Sequence, residues 1–121
     1  MMNNPNEITL DVFGKILYAL AMADGGIQKE EREALQKMVD QDDWAHRIKL
    51  SFDAAMNLEM DPKMVFYKNM RIFQTLKTDV HMPYFLDLMN RMANAYEGIV
   101  PEERALIENF NHKVNQSSVL V

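Results

Sequence analysis

Hydrophobic side chains recur at intervals of three and four residues along almost the whole chain, and no stretch alternates with a period of two. That pattern predicts helices and no strands. The first helix, about Glu7 to Ala23, sets Ile8, Val12, Ile16 and Leu20 in one row with Phe13 and Leu17 beside it, so its apolar face is wide. The second runs from Lys29 to Val39, with Ala34, Leu35, Met38 and Val39 inward. After the acidic break Asp40 to Asp43, in which Asp42 is placed to cap, a third carries Trp44, Ile48, Phe52 and Met56 at a spacing of four and ends over Asn57 to Met60. Asp61-Pro62 opens a fourth, because an acid caps well and proline suits the first helical position. It is expected to reach Thr78 through Val65, Phe66, Met70, Ile72, Phe73 and Leu76. Pro83 disfavours helix at Met82, so the fifth helix is placed from Pro83 to Tyr96, with Phe85, Leu88, Met89 and Met92 inward. The sixth runs from Pro101 to Lys113 with Leu106, Ile107 and Phe110, and Val114 follows. Residues 1–6 and Asn115 to Val121 read as loose ends. The expected fold class is all-α, a single-domain bundle of about six helices whose consecutive members pack as neighbours.

One stretch occurs twice. Ala23-Asp24-Gly25-Gly26-Ile27-Gln28-Lys29-Glu30-Glu31-Arg32 returns, altered, as Ala95-Tyr96-Glu97-Gly98-Ile99-Val100-Pro101-Glu102-Glu103-Arg104, 72 positions later. The same offset pairs Phe13 with Phe85, Ile16 with Leu88, Leu20 with Met92, Leu35 with Ile107 and Met38 with Phe110. The repeated unit is therefore a helix, a glycine-containing turn and a second helix, over about 8–40 and 80–114, bridged by helices at about 42–78. Gly25 and Gly26 are expected to end the first helix, since glycine takes left-handed angles freely. Ile27 is placed as a hydrophobic staple, Gln28 as N-cap and Glu31 at the reciprocal position of a capping box. Glu30 and Glu31 also complement the helix dipole, by about 0.3–1 kcal/mol each. Glu103 is the second copy's equivalent. Neither unit can bury its apolar face alone, so a pseudo-twofold pairing is expected, with the Asp24 turn near the Glu97 turn.

A duplicated Ala-Asp-Gly-x-Ile turn followed by a Glu-rich helix start, in a small all-α chain, resembles the TerB-like family over about residues 8–114. That family includes the tellurite-resistance protein and the N-terminal region of DjlA-type co-chaperones. The resemblance implies a helical bundle with a stress-associated role and a divalent-cation site of acidic residues. By motif position Asp24 and Glu31 match the family's acids. In the second copy Tyr96 replaces the aspartate and Glu97 the first glycine, so only Glu103 matches there.

Composition narrows the chemistry. The 121 residues are 48% hydrophobic and 26% charged, with a formal net charge of −5 and no cysteine. One domain with a real core is expected. The acidic balance argues against a nucleic-acid face, which needs a basic stripe. Disulfides and thiolate metal sites are excluded. Met1 to Glu7 shows no signal-peptide pattern, and the longest apolar run, Ile16 to Ala23, is too short for a bilayer; the cytoplasm is the expected location. Eleven methionines suit irregular core gaps or an adaptable binding surface.

Carboxylate oxygens suit Ca²⁺ or Mg²⁺, and the Asp24–Glu31 spacing matches the second half of an EF-hand loop. Leu20 and Met22 would occupy ligating positions of such a loop, which excludes a true EF-hand. The other reading makes Asp24 a turn residue and Glu31 a cap. His46, His81 and His112 form no pair at zinc-site spacing. Ser51, Ser117 and Ser118 lie in no nucleophile elbow, and Gly25-Gly26 is no phosphate loop. Trp44 and the aromatics of the fourth helix read as core. Lys63, Lys68, Arg71 and Lys77 read as that helix's solvated face or as a dock for an acidic partner. No enzyme is expected: a hydrolase needs more convergent ligands than these. The sequence points to a non-enzymatic, stress-associated (tellurite-resistance-like) module holding a divalent cation at Asp24 and Glu31, with Glu103 as counterpart. The alternative is a helical adaptor whose Met-rich groove takes a protein partner or a second copy, without metal.

Overall fold

A helix with a single polar row must be surrounded. In Glu7–Ala21, designated α1, that row is Glu7, Asp11 and Lys15, and eleven of the fifteen residues are buried. The computed structural model describes residues 5–23, 25–76, 81–95 and 98–119, with side chains as far as Lys113. After α1 come α2 (Lys29–Val39), a 3-10 turn (Asp43–Ala45), α3 (His46–Asn57), α4 (Pro62–Gln74), α5 (Met82–Ala93) and α6 (Pro101–Val119). The described residues contain no strand, and none of their helices is long and apolar enough to cross a membrane.

Local chemistry sets the helix starts. Asn6 Oδ1 accepts from the Thr9 backbone N–H at 2.8 Å and from its hydroxyl at 2.9 Å, capping α1. Asp61 Oδ1 accepts from the N–H groups of Lys63 and Met64, and Pro62 follows in the first turn of α4, the cap anticipated from Asp61-Pro62. Asp42 precedes the 3-10 turn but makes no side-chain cap.

The centre of the core is a cluster of four phenylalanines from α1, α4, α5 and α6. Phe13 meets Phe85 at 4.4 Å between ring centroids, Phe110 at 6.0 Å and Phe73 at 6.2 Å, and all four are buried. Phe13 and Phe85 are equivalent positions of the sequence repeat, so α1 and α5 meet through the same residue.

Packing order departs from chain order. α1 lies chiefly against α3 and α4, and α2 lies chiefly against α5, whereas consecutive helices were expected to be the main neighbours. The reason is the all-round apolar surface of α1. The α1–α3 crossing is close because residue 14 is glycine: a Cβ there would stand 2.4 Å from the Ile48 carbonyl oxygen and 2.6 Å from Ser51 Cβ. Ser51 Oγ donates to the Asp11 carbonyl oxygen at 2.5 Å and receives from Lys15 Nζ at 3.2 Å, tying the crossing.

Other expectations shift at element ends. α1 stops at Ala21, before the glycines, and the left-handed residue of the connection is Gly25, at φ 105°. In the second unit it is Gly98, at φ 83°, the counterpart of Gly26 rather than Gly25. Ile8 is exposed in the first turn of α1, and Ile72 is exposed on α4. α4 ends at Gln74; Thr78 lies outside the described residues. α5 begins at Met82 with proline in its first turn and ends at Ala93. α6 continues to Val119, through residues expected to be loose.

Gly14→Ala is expected to lower stability by about 1–3 kcal/mol through overpacking. In an exposed helix the same change stabilises by about 1 kcal/mol. Equilibrium urea unfolding decides the sign, and a gain in stability would mean that α1 and α3 lie farther apart than the structure places them.

Candidate functional site

The repeated turn leads into α2, where Gln28 is the N-cap in an extended conformation. Its backbone N–H donates to Glu31 Oε1 at 2.8 Å, the carboxylate half of a capping box. Glu31 is only 2% exposed. The second unit repeats the arrangement: the Val100 N–H donates to Glu103 Oε1 at 3.3 Å, and Glu103 is also 2% exposed. Both glutamates thus stand at the predicted helix starts. Asp24, Tyr96 and Glu97 lie outside the described residues.

Among the described residues, no group of three or more His, Cys, Asp or Glu side chains gathers as a metal would require. An N–H aimed at a carboxylate oxygen takes up one of the acceptor sites of that side chain. By these contacts Glu31 and Glu103 fit helix caps, and a cation set at the first turn would have to be completed from Asp24. His46 and His112 are exposed, and His81 is partly buried.

Beside the same turn runs a groove that sequence periodicity did not locate. Tyr18, Met22, Ile27, Met56 and Met60 line it, with Glu59, Asp61 and Pro62 at its edge. Its floor is held by the Tyr18 hydroxyl, which donates to the Met60 carbonyl oxygen at 2.6 Å. Burial first, then the charges of Glu59 and Asp61, raises the Tyr18 phenol above its ordinary value, keeping it a donor. Its wall follows from how α3 ends. Glu59 N–H bonds to the Met56 carbonyl at 3.1 Å and Met60 N–H to the Ala55 carbonyl at 3.2 Å, a Schellman closure. The left-handed position of that closure, usually glycine, is Glu59 at φ 50°. A non-glycine residue there carries strain of about 1–2 kcal/mol, and it turns Met60 toward Tyr18. The available signals were the Met22, Met56 and Met60 side chains at helix ends; their convergence depends on the corner at Glu59, which no periodicity encodes.

Trp44, read as core, is half-buried and meets the tilted rings of Tyr84 at 5.1 Å and His81 at 6.3 Å between centroids. The Tyr84 hydroxyl is buried with no hydrogen-bond partner among the described residues. Burial, then the charges of Asp42 and Asp87, pushes its phenol up to about 12. Ser51 ties the α1–α3 crossing. Lys63, Lys68 and Arg71 are exposed on α4 as expected; Lys77 lies outside the described residues.

Tyr84 yields a pH dependence. Its folded-state value lies above the unfolded value near 10, so the neutral phenol contributes stability that is complete below about pH 10 and is lost as pH rises toward 12. Trp44 emission, quenched when the adjacent phenol ionises, is expected to fall with a midpoint displaced above 10, and Tyr84→Phe is expected to remove that step. A midpoint at the ordinary phenol value would contradict the burial of Tyr84.

Comparison with models of protein families, with curated proteins and with solved structures finds no match, so the site is read from the side chains just described.

Proposed function

We propose that this chain is a non-enzymatic helical adaptor that receives a protein partner in the groove beside the first turn. The observation that supports this reading is the meeting of Met22, Met56 and Met60 with Ile27 and Tyr18 on one concave surface. Methionine is flexible and polarizable, so such a surface adapts to the apolar ridge of a partner helix. Glu59 and Asp61 at the edge favour a ridge flanked by Lys or Arg. The test is a titration of methyl-labelled protein with a synthetic amphipathic peptide bearing a Leu ridge and Lys flanks. The ε-methyl signals of Met22, Met56 and Met60 are expected to move, while those of the core residues Met70 and Met89 stay. Met56→Asp is expected to weaken binding by about tenfold. Shifts confined to other methyls would exclude the groove as the binding surface.

The TerB-like resemblance, with two deeply buried glutamates at equivalent helix starts, supports a second reading. Here Asp24 and Glu31 hold a divalent cation, Ca²⁺ or Mg²⁺, in a stress-associated module, and Glu103 is the altered counterpart. Thermal unfolding of metal-stripped protein against Ca²⁺, Mg²⁺, Mn²⁺ and Zn²⁺ separates the two. A specific cation at about 100 times its Kd is expected to stabilise by about 2.7 kcal/mol, and Glu31→Gln to abolish the gain. Absence of any shift would leave Glu31 a helix cap alone.

A further inference from the structure

The outer face of α4 has a charge pattern unlike that of its neighbours. α1, α3 and α5 each pair a cation with an acid four residues away: Lys15 with Asp11, Lys49 with Asp53, and Arg91 with Asp87. α4 contains no acid between Pro62 and Gln74. Lys63, Lys68 and Arg71 are exposed, and none of them takes part in an ion pair among the described residues. The nearby Asp61 is engaged as the N-cap. This basic strip sits on a chain whose net charge is −5.

The same face is apolar. Met64 is 71% exposed, Tyr67 53% and Ile72 36%, and with the three cations they line a shallow groove. Cation–apolar pairs recur every four residues, as Lys63-Met64, Tyr67-Lys68 and Arg71-Ile72, with the order reversed in the middle pair, so both i±4 rows, 63-67-71 and 64-68-72, are mixed. Each turn therefore presents one apolar and one cationic side chain along ridges of i±4 spacing, which interdigitate with the like ridges of a second helix. Lys113 of α6 lies 5.7 Å from the Tyr67 ring centroid and extends the positive edge. Thirteen residues give a ridge about 20 Å long.

We propose that the exposed face of α4 docks an acidic amphipathic helix of a partner protein, with Met64, Tyr67 and Ile72 taking its apolar row and Lys63, Lys68 and Arg71 its carboxylates. This surface is separate from the methionine groove and does not depend on that reading. A protein helix is favoured over a polyanionic membrane or nucleic acid because it touches only the basic strip. An extended anionic surface also meets the field of the whole acidic chain, which repels it.

The test titrates the isotopically labelled full chain with a synthetic helical peptide bearing a Leu row flanked by Glu. Amide shifts are expected along 63–72 and at Lys113, with Met22 and Met56 silent. Raising salt from about 0.05 to about 0.5 M is expected to weaken binding about tenfold. The triple variant Lys63→Glu, Lys68→Glu, Arg71→Glu is expected to lose binding by at least about tenfold at an unchanged melting temperature, and to gain affinity for the Lys-flanked version of the peptide. The proposal is overturned if the peptide does not bind, if the shifts map elsewhere, or if charge reversal has no effect. Tighter binding to phosphatidylserine vesicles or to duplex RNA than to the peptide, or self-association through this face, overturns it equally.

Discussion

The structure depends on keeping α1 out of water. With one polar row in fifteen residues, α1 exposes an apolar surface on nearly every side unless other helices cover it. Burying a large apolar side chain is worth about 1.5–3 kcal/mol, and Phe13, Ile16, Leu17 and Leu20 are all fully buried. That need brings α3 and α4 onto α1 and leaves α2 to pack on α5. Gly14 permits the closest of these approaches, and Ser51 and Lys15 satisfy the polar groups it brings together. The repeat enters the same way. Phe13 and Phe85 meet at 4.4 Å, so the contact that joins the two units also covers one flank of α1.

Much of this was legible because helix signals are local. The caps at Asp61 and Gln28, the start of α2 at Lys29, and the inward rows of α3 and α5 follow from spacing and turn chemistry alone. The order of packing was not legible, because it depends on how wide each apolar face is and which partners can approach. Glycine within a helical pattern marks a close crossing only when the opposing backbone is known, and Gly14 had no signal of its own. The ends moved for related reasons. Ile8 belongs to the apolar row of α1 by spacing, yet it is exposed in the first turn. The extension of α6 to Val119 runs through residues whose polarity resembles a loose end.

The candidate chemistry shows a different limit. Glu31 and Glu103 were singled out for two roles, ligand and cap, that require the same residue at the same helix position. A carboxylate three residues past an N-cap accepts a backbone N–H in one role and faces a cation in the other. The contacts at Gln28 and Val100 are of the capping kind in both units. The repetition of that contact is informative, since the second unit retains it although Tyr96 and Glu97 replace the acid and glycine of the first. A capping contact is thus common to both units, whereas the cation reading draws on Asp24 as well.

The two outward surfaces meet at one backbone corner. Glu59 closes α3 in the left-handed region and turns the chain so that Met60 carries the carbonyl bonded by Tyr18. Asp61 follows and caps α4. The groove edge is thus acidic, and the helix that begins at the next residue, Pro62, is basic and contains no acid. An apolar helix with basic flanks is attracted to the first surface and repelled by the second, and an acidic helix behaves in the opposite way. On the two proposed readings it is charge that distinguishes the partners, since methionine, which discriminates poorly by shape, lines both surfaces. Asp61 thus both caps the helix that carries one surface and lines the other.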